Sequence, residues 1–208
     1  MGNVMQAIFA LLPGSQPEII NIGHQSTDTT LLHLITDRNE TALKVLFLRH
    51  NVLVYRFVLR LTDNATLAED VVSEVFLEVW RRSEGFRSES RVSTWLLAIA
   101  RNKAKAALRR RSALPWNEGA ALSMEDPTDD PEKSLDRREH SAMLQDCLGQ
   151  LAPIHREVID LVYYHEKSIG EAAEIIGIPA NTVKTRMFHA RCRMGDCLRQ
   201  AGVHGATI

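Results

Sequence analysis

Apolar residues recur along this chain at spacings of three and four, the period of a helix buried on one side. Leu43, Leu46, Phe47, Val54, Phe57, Val58 and Leu61 form one stripe. His50 is its only break and is read as the stripe's edge rather than as a ligand. Thr62-Asp63-Asn64 should turn the chain, since Asp and Asn offer side-chain oxygens to nearby amides. Ala68, Val71, Val72, Val75, Phe76, Val79 and Trp80 make the second stripe. A third helix is expected from near Arg91 to about Arg111, carrying Val92, Trp95, Leu96, Ile99, Ala100 and Leu108. Further helices are expected over Leu135–Leu151, Ile154–Tyr164, Ser168–Ile176 and Ala180–Gln200. No stretch shows strand alternation bounded by hairpin turns.

Between the third and fourth helices the pattern lapses. From Ser112 to about Ser134 the chain holds Pro115, Gly119, Pro127 and Pro131, with acids at Glu125, Asp126, Asp129, Asp130 and Glu132. Proline interrupts a helix, and like charges extend a chain. The fold class expected is therefore all-α, two small helical domains joined by a flexible acidic linker. The boundaries are a poorly ordered extension at 1–25, a first domain at 26–111, the linker at 112–134, a second domain at 135–200 and a tail at 201–208.

The composition fits that size: 208 residues, 45% hydrophobic and 25% charged, with a net charge of −1. The total conceals blocks. From Arg81 to Arg111, ten basic residues face two acids, Glu84 and Glu89, a net of +8; from Lys184 to Arg199, five face Asp196 alone, a net of +4. One such run is ordinarily a solvated helix face. Two, one per domain, are explained most economically by a polyanion that both domains touch.

Ser168 to Arg191, "SIGEAAEIIGIPANTVKTRMFHAR", has the grammar of a helix-turn-helix. Ser168 and Glu171 form a capping box, and Ala172, Ala173 and Ile176 give a small-residue packing face. Gly177 suits the left-handed residue that ends a helix, and Pro179 the start of the next. In that second helix Val183, Met187, Ala190 and Met194 are the buried stripe. Lys184, Thr185, Phe188, His189 and Arg191 project outward, the side chains that reading a major groove requires. Phe188 suits either a base methyl or simple packing. A structural hairpin is the competing reading.

In the first domain, Asp70, Glu74 and Glu78 lie four apart as an acidic stripe directly before the basic block. A solvated face is the ordinary reading. Its neighbourhood suggests two surfaces of opposite sign for two partners, a basic protein and a nucleic acid. Phe86 falls in an expected loop with Ser88, Ser90 and Ser93 nearby, where an aromatic side chain can receive an unstacked base while cations follow the backbone. Trp95 is assigned by its helical phase to the core, and Asn102, two turns further on, can reach a base edge.

Three cysteines, Cys147, Cys192 and Cys197, are too few and odd in number for a disulfide framework and fit a reducing compartment. His189 and Cys192 alone do not make a zinc site; no metal or cofactor is expected. The apolar run Val4–Leu12 is shorter than a membrane span and lacks a basic start, and the N-terminal myristoylation pattern fails at Gln6. A cytoplasmic protein with no membrane insertion is expected. Phosphate loops, metal constellations and nucleophile–base motifs are absent from the sequence, so no catalytic residue is assigned. A two-domain DNA-binding regulator that does not engage polymerase remains an alternative on these features.

Three segments in order, "LAEDVVSEVFLEVWRR", "FRSESRVSTWLLAIARNKA" and "LAPIHREVIDLVYYHEKSIGEAAEIIGIPANTVKTRMFHAR", resemble an extracytoplasmic-function sigma factor of bacterial RNA polymerase, in the sigma-70 superfamily, over about Ser26–Gln200. The resemblance implies a promoter-specificity subunit that binds core RNA polymerase through Asp70, Glu74 and Phe76. It implies −10 capture and melting by the loop and helix holding Phe86, Arg87, Ser88, Ser90, Arg91, Asn102, Lys103 and Lys105. It implies −35 reading by Asn181, Thr182, Lys184, Thr185, Arg186, Phe188, His189 and Arg191. Ser73 stands where members often carry Gln, and His189 where an Arg is common. The resemblance further implies promoter DNA as duplex and melted strand, an anti-sigma factor as partner, and a stress-response regulon.

Overall fold

The computed structural model describes residues 26–86, 88–112 and 134–201. The N-terminal extension, Arg87, nearly all of the acidic linker and the C-terminal tail lie outside the described residues. Among the described residues every regular element is a helix. The chain contacts divide them into two compact units, one holding residues 26–112 and the other most of residues 134–201.

The first three helices begin where a short polar side chain can satisfy an orphan amide. Thr27 caps α1 (Asp28–Thr36) by accepting from the Thr30 amide. Asn39 caps α2 (Glu40–Thr62) through Ala42, and Asn64 caps α3 (Ala65–Arg82) through Leu67. The expected turn is real: Asp63 is left-handed (φ 51°) and ends α2 with its amide donating to the Leu59 carbonyl. A 3₁₀ turn at Ser83–Gly85 follows α3, and α4 spans Val92–Ser112.

Helices α2, α3 and α4 pack on one another pairwise, with α1 laid on α2. Val54, Phe57, Val58, Val71, Val75, Val79, Leu96 and Leu97 are fully enclosed, which confirms the phase of the first two stripes. On α4 the buried side is rotated from the expected stripe: Leu97, Ala104 and Ala107 are buried, while Trp95, Ile99 and Leu108 are half-buried. Helix α1 was not anticipated. Its sequence, DTTLLHLIT, buries only Leu31, Leu32 and Ile35, too few turns for a periodic signal. His50 explains how it is held. The imidazole Nε2 lies 2.7 Å from Asp28 Oδ2, and Arg49 donates to Asp28 Oδ1 at 2.6 Å. The break in the α2 stripe is thus the attachment point of α1.

In the second unit α5 covers Ser134–Gln150 and α6 Pro153–Ile159, with Pro153 in the first turn. The expected single helix to Tyr164 changes its winding at Asp160–Tyr164, a π turn. Helix α7 (Ile169–Ile176) starts with the capping box: the Ser168 amide donates to Glu171 Oε2 at 3.0 Å and the Glu171 amide to Ser168 Oγ at 3.2 Å. Gly177, at φ 72°, reverses the chain and α8 runs Ala180–Gln200. Helix α8 packs on α6 and α5 through Val183, Met187, Ala190 and Met194, all buried.

One expectation is overturned here. Cys147 of α5 and Cys197 of α8 form a disulfide, with Cα atoms 5.8 Å apart and 50 residues between them in sequence. A count of three cysteines weighs against a framework of several bridges, but it says nothing about one pair that helix packing brings together. Cys192 carries a free, exposed thiol.

Candidate nucleic-acid interface

Helix α8 shows the clearest division of faces. Behind it lie the four buried residues. On the other side Asn181, Lys184, Thr185, Phe188, His189 and Arg191 are exposed, and Thr182 and Arg186 are half-buried at the flanks. Phe188 is 58% exposed, which separates it from the packing residues. Its ring meets His189 edge-on at 5.6 Å between centroids. Thr185 Oγ1 donates to the Asn181 carbonyl at 3.0 Å, which holds the hydroxyl on the helix. Cations, an aromatic ring and short polar groups on one exposed helix face can read base edges and pair with phosphates.

The sequence reading passed over two residues beside this face. His155 of α6 stands 6.2 Å from His189, ring to ring, and its Nδ1 is buried with no hydrogen-bond partner among the described residues. Burial, then the charge of Arg193, with His189 and Arg186 adding to it, holds its pKa below the usual imidazole value. Arg193 is exposed on α8. The signal for His155 is tertiary: it is a lone histidine on another helix until α6 packs against α8.

The first unit presents its charge differently. Asp70 is exposed on α3. Glu74 and Glu78 are not a surface apart from the basic block but are paired to it. Lys103 of α4 sits 3.3 Å from Glu78 and 3.9 Å from Glu74, and Arg110 lies 3.6 Å from Glu74. Arg82 lies 3.3 Å from Glu78 on α3 itself. The expectation of two separate, oppositely charged surfaces is corrected accordingly: α3 and α4 lie side by side and their charges interdigitate.

Phe76 is a second correction. It is 2% exposed and meets Phe47 of α2 at 4.8 Å between ring centroids. It packs in the core against α2 and is not on the outer face of α3. Trp95 is a third: it is half-buried rather than core, and its ring lies 5.5 Å from that of Phe86. Phe86 is itself half-buried, so the two rings form an accessible aromatic pair where the loop enters α4. Ser88 (φ 57°) and Arg91 are exposed, Ser90 is half-buried, and Asn102 and Lys105 are exposed on α4. Among the described residues no group of three or more His, Cys, Asp or Glu is placed to hold a metal ion, and no helix is long and apolar enough to cross a membrane.

Both units match known families. Residues 46–114 match Sigma-70 region 2, and residues 141–194 match Sigma-70, region 4. The chain is 31% identical over 165 residues to the ECF RNA polymerase sigma factor SigL of Mycobacterium tuberculosis, covering 77% of this chain and 91% of SigL. The chain belongs to the ECF sigma factors of RNA polymerase. A second relative, the RNA polymerase sigma factor CarQ of Myxococcus xanthus, is 33% identical over 165 residues, with 78% and 92% of the two chains covered. Among solved structures, the sigma factor RpoE of Bartonella quintana, in complex with the anti-sigma factor NepR, aligns with a TM-score of 0.60 at 25% identity, over 75% of this chain and 96% of RpoE. CnrH, in complex with the cytosolic domain of CnrY, shares the fold at a TM-score of 0.61 and 24% identity, over 83% and 97%. In this sigma factor the exposed face of α8 lies within the region 4 match, and the Phe86–Trp95 pair and the interdigitated α3–α4 charges lie within region 2.

Proposed function

We propose that this sigma factor binds core RNA polymerase and directs it to promoters of a stress-response regulon, working in the cytoplasm as a non-catalytic subunit. The observation that carries the reading is the exposed face of α8, whose cations and polar groups lie opposite an uninterrupted buried stripe, within a chain that also contains region 2. In this reading α8 reads the −35 element through Lys184, Thr185, Phe188, His189 and Arg191, with Asn181, Thr182 and Arg186 at its edges. The first domain takes the −10 element. Phe86, Ser88, Ser90, Arg91, Asn102, Lys103 and Lys105 receive an unstacked base and its backbone, and the half-buried Trp95 ring backs Phe86. Polymerase docks on the exposed edge of α3 at Asp70 and Glu74, which Phe76 supports from inside the core.

Duplex opening costs stacking energy, and base capture with phosphate contacts offsets part of it. Joining two weak DNA modules in one chain raises the effective concentration of the second once the first is bound. An anti-sigma protein that covers these exposed faces would hold the factor inactive; the complex of RpoE with the anti-sigma factor NepR supports such a partner.

The test is transcription by reconstituted core polymerase on a promoter library. With this protein added, starts should concentrate at a defined promoter class. Asp70→Arg should abolish co-purification with core polymerase while leaving the helical fold intact by circular dichroism. Starts no more selective than those of core polymerase alone would sink the proposal.

A further inference from the structure

The bridge between Cys147 and Cys197 lies on the side of the second domain that the DNA-reading role does not use. Cys147 is 2% exposed, on the last turns of α5. Cys197 is half-exposed, near the end of α8, between the buried Met194 and Leu198. The end of α5 has a second, non-covalent anchor. Arg156 of α6 donates from Nε to the Leu148 carbonyl at 3.0 Å, and from one terminal nitrogen to the carbonyls of Gly149 at 2.6 Å and Leu151 at 3.3 Å. Arg156 therefore holds the end of α5 to α6 whatever the state of the cysteines. What the disulfide adds is the tie from α5 to α8, and α8 is a single uninterrupted helix from its DNA-reading residues to Cys197.

We propose that Cys147 and Cys197 are a reversible thiol–disulfide modification site, and that its oxidation fixes α8 in the pose that reads DNA. Accessibility assigns the order of events. The Cys197 thiolate, the exposed partner, attacks a low-molecular-weight disulfide RSSR, forming the mixed disulfide and releasing one RSH. The buried Cys147 thiol then gives up its proton and attacks Cys197 Sγ, releasing the second RSH. Two protein thiols are oxidised by two electrons, one RSSR is reduced to two RSH, and the thiol protons end on the released thiols. Access, rather than any property of the buried sulfur, makes the site addressable. Cys192 does not substitute for either partner. It lies five residues before Cys197, about 7.5 Å along the helix axis and on a different side.

The modification site stands on its own geometry; its effect on promoter reading rests on the sigma-factor proposal above. The experiment separates the two. The full-length chain is equilibrated with glutathione disulfide or with excess glutathione, and its thiols are counted under denaturing conditions. One reactive thiol is expected in the oxidised form and three in the reduced form, and Cys192→Ser should lower both counts by one. Three thiols in both conditions, or a bridge that survives in Cys147→Ser, overturns the site. The same samples, joined to core polymerase, are then assayed for promoter occupancy. Oxidation should tighten occupancy by about fivefold or more, the lower end of ordinary coupling between linked sites. The Cys147→Ser, Cys197→Ser protein should stay at the reduced level under both conditions, and Cys192→Ser should keep the response. A wild-type occupancy indifferent to oxidation while the thiol count changes overturns the coupling. Absence of initiation in every sample instead counts against the sigma-factor reading, with the thiol count still deciding the site.

Discussion

At the scale of single residues, phase along a helix separated packing from contact, and it failed where an aromatic residue sat at the margin. Phe76 falls on the apolar stripe of α3, and the structure keeps it there, against Phe47. Phe76→Ala should therefore destabilise the first domain by about 3–5 kcal/mol, the range for an enclosed aromatic residue. Phe76→Leu should restore most of that and bind core polymerase normally. Chemical denaturation followed by Trp80 and Trp95 fluorescence, with a polymerase pull-down beside it, measures both. A Phe76→Leu protein that is stable yet fails to bind polymerase would return Phe76 to the docking surface. His155 belongs to the same scale and was not readable from sequence, because its environment is made by another helix. Its depressed pKa, caused by burial and then by Arg193, His189 and Arg186, has a definite sign. The unfolded chain takes up a proton at about pH 6.5, where the folded domain still resists it. The unfolded state then binds more protons, so stability falls as pH drops from that value toward the folded pKa and is constant above it. The protection of amides along α6 and α8, corrected for the intrinsic pH dependence of exchange, should fall on acidification through this window, and His155→Gln should flatten the dependence.

At the scale of elements, capping and turn chemistry located helix ends better than periodicity located short helices. The capping box at Ser168 and Glu171 and the left-handed Gly177 were legible because each is a local hydrogen-bonding requirement written in adjacent residues. Helix α1 was not, because Leu31, Leu32 and Ile35 offer a little over one turn of pattern, and its Asp28–His50 tie is a contact distant in sequence. The Cys147–Cys197 bridge was missed for the same reason: 50 residues separate the pair, and only the packing of α5 on α8 decides their meeting. The α3–α4 ion pairs likewise depend on which helices are neighbours, so two charge blocks that look separate in sequence share one surface. Gly177 gives the sharpest elemental test. A Cβ there would meet nothing within 4 Å, so crowding is not at issue, but φ is +72°. Gly177→Ala should cost about 1 kcal/mol, from the left-handed backbone alone. Thermal unfolding should show a small downward shift with DNA contacts preserved, whereas Gly177→Asn should lose less. A large loss of stability in the alanine protein would mean that the turn, and with it the pose of α8, is set by more than backbone conformation.

At the scale of the whole molecule, a net charge of −1 gives no hint of a polyanion partner, because the acids offset the cations in total without covering them in space. The distribution decides. On α8, Lys184 and Arg191 are exposed on one face, and the only acid from Lys184 to Arg199, Asp196, is engaged by Arg199 near the far end of the helix. On α4, by contrast, Lys103 and Arg110 are partly neutralised by Glu74 and Glu78. Pairs open to solvent, such as Arg110 with Glu74, contribute little to stability, commonly below about 1 kcal/mol, so a nucleic acid can compete for such cations at small cost. Ionic strength should consequently report the two modules differently. Promoter binding by the holoenzyme should weaken as salt rises, because each phosphate contact releases counterions. Replacing Lys184 and Arg191 together with Ala should reduce the slope of log K against log salt by about 2, if each makes one phosphate contact. A base-reading role instead of a phosphate role would leave the slope near that of wild type and alter the preferred −35 sequence. Binding measured by fluorescence anisotropy over a salt series, on matched and scrambled −35 duplexes, distinguishes these assignments. A double variant with both slope and sequence preference unchanged would remove these two residues from the DNA interface.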